Sequence, residues 1–371
     1  MVKKGRKAQL AATLNALVFK KYVNVRMLEI IEEILNSNDI NISELASRRG
    51  MSTSTVWKHV KIIKSKGFSF TVTINYTKLG LYQMMFIYDD HIPFGKLPKT
   101  YLRYYSPLIA PYGTLIIYYT PIDFWKYHKK IIEDSIGISP IKFCLVNKLL
   151  PSRYKLSKWF DPQINGFNID WKLFEKEFFS KGCQDYPDTY KEISVPTRRF
   201  DILDIFILKE LQKDPFVSMR KVAVKIKDQL KRFGINKEIT YQRVLHHYKK
   251  HILGRGIIEN IRFRLIPLDY SNSYHVLVIL KPNKGCLGTL TRAFSSHPFF
   301  LPQSMSMSNE LIVVAVIPLS EMTPFYIFLN RLKELGYIKD WEVYIMDRVR
   351  RKGYTLPYDA YTPLLGWKKE V

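Results

Sequence analysis

The chain has few cysteines: Cys144, Cys183 and Cys286 among 371 residues. They stand far apart and make no metal-type pair. That argues against a disulfide framework or a cysteine zinc site and for a reducing compartment. Long apolar runs are also missing. No stretch reaches the roughly 18 apolar residues that a membrane span needs, and Met1-Val2-Lys3-Lys4 is not followed by a signal-peptide core. Catalytic signatures are absent: no Walker loop, no Gly-rich dinucleotide loop after a strand and no nucleophile elbow. The expectation is therefore a protein that is not an enzyme and uses no cofactor and no metal. Acid is scarce as well, with 33 Asp and Glu against 58 Lys and Arg, a net charge of +25. Such an excess points to polyanions, most often nucleic acid and less often an anionic membrane. What is plentiful is apolar material, 47% of the residues, in a length that allows two to four domains.

The most informative stretch runs from Ile42 to Phe68. It reads as two short helices around a tight turn. Leu45 and Ala46 belong to the first helix, and Arg49-Gly50-Met51 makes the turn, with Gly50 at a position that suits left-handed backbone. Ser52 is an N-cap residue for the second helix. Val56, Val60 and Ile63 fall at i, i+4 and i+7, so one face is apolar. The other face carries Thr53, Ser54, Thr55, Lys58, His59, Lys61, Lys64 and Lys66 without an acid. This is the pattern of a helix-turn-helix whose second helix enters the DNA major groove. A purely solvated face usually mixes charge signs. Trp57 lies within this helix, with core packing and DNA contact both open to it.

These residues resemble the DNA-binding half of the leucine-responsive regulator (Lrp/AsnC) family. The features that match are Ile30, Ile31 and Ile34 on a preceding helix, Ser43-Glu44-Leu45-Ala46, Ser52, Ser54-Thr55-Val56, Val60 and Gly67. Phe68 to Ile74 fits the wing, and Asn75 to Leu81 fits the family's link into its assembly domain. His59 departs from the basic residue usual before the second valine. The resemblance implies a ferredoxin-like assembly domain, dimers that present two recognition helices to DNA, and in many members an amino-acid effector at an interface between assembly domains.

The remaining chain divides accordingly. Residues 1–80 hold a basic segment (Lys3, Lys4, Arg6, Lys7, Lys20, Lys21, Arg26) with a helical run around Leu10, Leu14, Leu17 and Val18, then the first winged helix. The basic segment reads either as an arm on phosphates or as a helix packed on the domain. Residues 81–150 read as a first α/β plait: strands at Tyr82–Tyr88, Thr114–Tyr119 and Ile141–Val146, a short helix at Lys99–Tyr105, a longer one at Asp123–Ser135, and a further strand near Pro107–Pro111. Asp89-Asp90-His91 reads as an acidic loop tip. Residues 151–198 form a structured linker, docked by Trp159, Phe160, Trp171, Phe174, Phe178 and Phe179. Residues 199–268 form a second winged helix: a helix after Asp201, another over Ser218–Phe233, a third capped by Thr240, and a wing at Ile257–Leu265. Residues 269–349 follow the order β-α-β-β-α-β of a second plait. Residues 350–371 are a basic, aromatic tail.

The fold expected is thus α+β, two winged helix-turn-helix domains alternating with two ferredoxin-like plait domains, an archaeal-type tandem duplication of the resembled architecture. The third helix of the second unit offers Tyr241, Gln242, Arg243, His246, His247, Lys249 and Lys250, with Arg255, Arg262 and Arg264 nearby. Gln242 suits adenine and Arg243 guanine. The lysines and the arginines of the wing suit phosphates. His247 and His251 stand at i, i+4, a metal-type spacing, but no carboxylate or third ligand lies near them and they sit in a basic helix, so DNA contact or helix packing is the reading. Loops Pro111–Thr114 and Met307–Glu310 keep only part of the family's effector pattern, so effector binding stays open. The expected partner is double-stranded DNA, with plaits pairing within the chain or in a homodimer, and the expected location is cytoplasmic, on the nucleoid. The leading function is a sequence-specific transcription regulator. An architectural chromatin-type protein and a replicon origin-binding protein are the alternatives.

Overall fold

The computed structural model describes residues 15–38, 41–150, 153–184, 200–232, 238–362 and 366–369. The basic residues before position 15 with Leu10 and Leu14, most of the segment between Cys183 and Phe200, and Phe233 at the end of the expected Ser218–Phe233 helix lie outside them.

Three helices open the fold: α1 (Val25–Leu35), α2 (Ile42–Arg48) and α3 (Thr53–Ser65), followed by strand β2 (Ser69–Ile74). The pattern returns as α7 (Ile202–Lys213), α8 (Met219–Arg232), α9 (Tyr241–His246, prolonged by a π-helical turn over His247–Leu253) and β9 (Ile258–Leu265). Sequence-local chemistry starts these helices. The Ser52 hydroxyl accepts the Thr55 N–H, the Thr240 hydroxyl accepts the Arg243 N–H, and Asp201 forms a reciprocal capping box with Asp204. Gly50 takes φ +58° in the turn before α3, which only glycine occupies without cost. One expectation fails at the start of the chain. Leu17 and Val18 are not helical. They form strand β1, paired with β8 (Gly166–Phe167). Gly166 allows that approach, since a Cβ there would lie 2.4 Å from the Leu17 carbonyl oxygen.

The second plait is complete: β10 (Ser273–Pro282), α10 (Leu287–Ser296), β11 (Phe300–Ser306), β12 (Leu311–Pro318), α11 (Met322–Glu334) and β13 (Ile338–Met346). The first lacks a crossover helix. Its strands are β3 (Leu81–Tyr88), β4 (Leu102–Ala110), β5 (Gly113–Pro121) and β6 (Lys142–Leu150), with one helix, α4 (Trp125–Ile136). The helix expected at Lys99–Tyr105 is instead the approach to β4 and its first residues. Tyr104, Tyr105 and Ile109 are strand formers, and β4 has partners on both sides, β5 on one and β13 and β14 (Lys352–Gly353) on the other. The tail packs beside this plait. Trp367 Nε1 donates to the Leu79 carbonyl, and Leu356, Ala360 and Tyr361 join the core shared by the first plait and α7.

The two plaits close on each other. Strand order β13-β10-β12-β11-β6-β3-β5-β4 returns to β13, every pair antiparallel, so eight strands make a barrel. One seam pairs Ser304 with Leu149, and the other pairs Ile345 with Ala110. Alternate residues point inward. Met85, Ile87, Cys144, Val146, Leu277, Ile279, Tyr344 and Met346 fill the interior, as expected for a barrel of this size. On the same inward register, Lys142 donates to Glu310 at 2.7 Å and to Glu342 at 2.8 Å, linking the first plait to the second. Burial alone would raise the Glu310 carboxyl, but the Lys142 hydrogen bond and charge outweigh it and hold it below its ordinary value.

The helical units cross over. The wings expected to be separate pair with each other in one two-stranded ribbon, with Val72 opposite Ile261. Phe263 of β9 stacks on Phe70 and lies against Phe68 and Tyr154, while Thr71 of β2 donates to the Gln212 carbonyl at the end of α7. The first three helices share a core with the second plait and the linker helix α6 (Trp171–Phe179), and the second three share one with the first plait. Trp171 packs at a tilt against Phe325 and Phe328 and donates from Nε1 to Glu321 at 2.6 Å. The expectation that no cysteines pair is corrected. Cys183 and Cys286 form a disulfide across 103 residues, a proximity that sequence spacing does not reveal.

Replacing Lys142 by Ala leaves the buried Glu310 without its cation beside Glu342, which keeps only the more distant Lys281 at 3.9 Å, and should cost about 3 kcal/mol at neutral pH. In the wild type, the Glu310 contribution is present in full above its unfolded pKa and is lost as pH falls through its lower folded value. Thermal unfolding between about pH 7 and pH 3 should therefore show an acid-side loss that Glu310→Gln reduces.

Candidate nucleic-acid interface

Helix α3 buries Val56, Val60 and Ile63 and turns Thr53, Ser54, Lys58 and Lys61 outward. Ser54, Lys58 and Lys61 recur at i, i+4 and i+7, so they share one side. With Trp57 and Ile62 they line a shallow open depression. Trp57 is 37% exposed, and its other edge meets Phe216 from the turn after α7, 6.3 Å between ring centroids. It therefore both packs and presents a surface. Ser52 is exposed but occupied as the cap, and Thr55 is half-buried with its hydroxyl against Ser52 at 2.8 Å. His59 is half-buried.

Lys64, expected to be a free phosphate contact, is instead tied to Asp214 of the second helical unit at 2.8 Å, with its ammonium over Phe216. The turn after α7 packs across the end of α3, and sequence separation hides that. Lys66 is half-buried at the C-cap. Lys21 donates to the Ser65 carbonyl, which places its ammonium at the end of α3.

On α9, Tyr241, Gln242, Arg243, His246, Lys249 and Lys250 are exposed, with Thr240 at the cap. A residue the sequence reading missed is Arg220. It is exposed in the first turn of α8, and its guanidinium lies 5.5 Å from the Tyr241 ring centroid. Its signal was only a basic residue at the start of an amphipathic helix. Arg264 is exposed on β9. Three expected contacts do not face outward. His247 is buried at 7% exposure. Arg255 is half-buried over Phe200. Arg262 is half-buried too, and its Nε, shielded from solvent, meets no hydrogen-bond partner among the described residues. On β9 the chain alternates, and Arg262 shares the inward side with Asn260 while Phe263 packs on the opposite face against Phe70.

His247 is buried because its ring turns toward α7. Its Nδ1 lies 2.9 Å from Asp204 Oδ1, and His251 Nδ1 lies 3.2 Å from the same oxygen. The Asp204 hydrogen bond holds His247 above its ordinary pKa against the opposing effect of burial. The expectation that no carboxylate stands near this histidine pair is thus corrected. Asp204 is supplied from α7, more than forty residues upstream.

Residues 26–78, spanning α1 to α3 and β2, match a family model described as "HTH domain". The chain carries a helix-turn-helix domain of the kind that serves DNA-binding regulators. Among curated proteins, an arginine–tRNA ligase of Buchnera aphidicola subsp. Cinara cedri (strain Cc) is 26% identical over 248 residues, 64% of this chain. The match spans 40% of that ligase's length. Among solved structures, the siroheme decarboxylase NirDL aligns with a TM-score of 0.49 at 9% identity, over 90% of this chain and 96% of that one. Its complex with an iron-uroporphyrin III analogue gives 0.47 at 9% identity, over 87% and 91%. PH0061 gives 0.32 at 18% identity, over 43% of this chain and all of that one. No helix among the described residues is long and apolar enough to cross a membrane.

Ser52→Ala should lower stability by about 1 kcal/mol through loss of the cap. Lys61→Ala, on the exposed side, should leave the denaturation midpoint within about 0.5 kcal/mol of wild type.

Proposed function

We propose that this protein is a sequence-specific double-stranded DNA-binding transcription regulator that uses both helical units of one chain, without a catalytic step. The observation that carries this reading is the acid-free outer side of α3, with Ser54, Lys58 and Lys61 in line, inside the segment that matches an HTH domain. The counterpart on α9 presents Gln242 and Arg243, side chains that pair with adenine and guanine edges. Closure of the two plaits within the chain supports a tandem Lrp/AsnC-like pseudo-dimer rather than assembly by a second copy. Because the two outer sides carry different residues, the half-sites differ, and groove geometry sets them about 10 bp or a multiple apart. A cytoplasmic, nucleoid-associated setting belongs to this reading, and calorimetry with the twenty amino acids and the mass in solution test an effector and a homodimer through the plait domains. The net charge of +25 favours one alternative, an abundant architectural protein that coats DNA without selectivity.

Selection of genomic DNA by the purified chain at physiological salt, followed by sequencing, tests the reading. A small set of sites with one asymmetric two-part motif is expected, and motif-free coverage would overturn it in favour of the architectural alternative. Arg243→Ala should cost about 1–3 kcal/mol at the selected site and relax selectivity at one base, whereas Lys58→Ala should weaken all sequences alike and reduce the salt slope by about one.

A further inference from the structure

The geometry points to a divalent transition-metal site formed by Asp204, His247 and His251, where helix α7 meets the helix that carries α9. Three observations converge on it. First, the donor set is right: two imidazole nitrogens and one carboxylate oxygen suit zinc and its first-row neighbours. The ligand atoms of all three residues lie within 4.8 Å of one another. Their closest separations are 2.9 Å from His247 Nδ1 to Asp204 Oδ1, and 3.2 and 3.3 Å from His251 Nδ1 to the two Asp204 oxygens. Bonds of 2.0–2.1 Å in a tetrahedron place ligand atoms about 3.3–3.4 Å apart, so small outward movements would admit an ion.

Second, the carboxylate is prepared for a cation. Asp204 is wholly buried, yet the groups facing it are the two imidazoles and the Asp201 backbone N–H, which donates to Oδ2 at 3.0 Å. That N–H fixes the orientation of the carboxylate in the way outer-shell partners orient metal ligands. Asp201 itself reaches within 3.5 Å of His247 Nδ1, and water can reach the half-buried His251 side. Third, both histidines sit on the π-helical turn His247–Leu253, with ring centroids 4.4 Å apart. Histidines at i, i+4 on one helix are a recurrent zinc pair, and π-helical turns are rare and concentrate at functional sites. The imidazoles would bind as neutral rings through Nδ1 with the proton on Nε2. An ion there would join the first helix of the unit to its DNA-facing helix. This proposal is independent of the DNA-binding reading and stands or falls without it.

The test uses the full chain stripped with chelator, then titrated with Zn2+ by calorimetry and with Co2+ by visible absorption. One equivalent should bind, with Co2+ bands of low-symmetry four- or five-coordination, and the unfolding temperature should rise with Zn2+. His251→Gln retains an N–H for Asp204 while removing the ring ligand. It should fold, as judged by circular dichroism, and lose affinity more than about tenfold. His91→Ala, on a loop of the first plait, should bind as wild type does. Wild-type chain that takes up no Zn2+, or a folded His251→Gln chain that binds it unchanged, would overturn the proposal and leave the triad as a hydrogen-bonded clasp. Should His251→Gln not fold, the Co2+ spectrum and proton-NMR shifts of the His247 and His251 rings in the wild-type chain decide instead, and rings unmoved by Zn2+ would be the overturning result.

Discussion

Barrel closure is the constraint on which the other arrangements rest. A plait sheet standing alone has two open edges, each a row of unpaired N–H and C=O groups. Here each plait meets the other at both edges, β6 with β11 and β4 with β13, the second seam running from Leu108 to Ala110 before β14 takes the β4 edge at Tyr104 and Tyr105. Eight antiparallel strands return to the first without a parity conflict. The inward side chains fill the interior, and Lys142 with Glu310 and Glu342 draws the two halves together at one end. Buried Glu310 is unfavourable without its lysine, so the cluster rewards one register over slipped ones.

With the plaits joined, the helical units are brought side by side and exchange support. The strand after each set of three helices pairs with the strand after the other. Lys64 reaches Asp214, and Trp57 and Phe70 meet Phe216, so the end of α3 rests on the second unit. The two units are therefore mechanically linked through a ribbon and a small aromatic cluster. The halves are alike in plan and unequal in detail. The second plait has both its helices and is covered by the aromatic linker. The first has no α-helix between β3 and β4 and is packed instead by the tail and by α7.

Much of the α+β plan was legible because it is written in short-range chemistry. Apolar residues at helical spacing marked α3 and α7, hydroxyl and carboxylate caps marked their starts, and the order β-α-β-β-α-β was readable in the second plait. Misreadings arose where a partner far along the chain decides the outcome. Leu17 and Val18 continue a helical spacing from Leu10 and Leu14 in the sequence but pair with Gly166 and Phe167. Lys99–Tyr105 has a helix-compatible pattern, yet β4 has a strand to pair with on either side. Among the candidate contacts, exposed positions such as Lys58, Lys61, Gln242 and Arg243 could be read from one helix at a time. Lys64, His247 and Arg262 could not, because a neighbouring element covers each of them.

By itself, then, the sequence determined where helices begin, which of their sides are apolar, and that the outer sides of α3 and α9 are free of acid. Each of these depends on residues within one or two turns of one another. The tertiary structure decided that the plaits close within one chain, that the wings pair with each other, that Cys183 meets Cys286, and that Asp204 stands between His247 and His251. Those contacts join residues from about forty to about two hundred and forty positions apart. No local propensity encodes them, because their free energy comes from burying surfaces that exist only once the elements have formed.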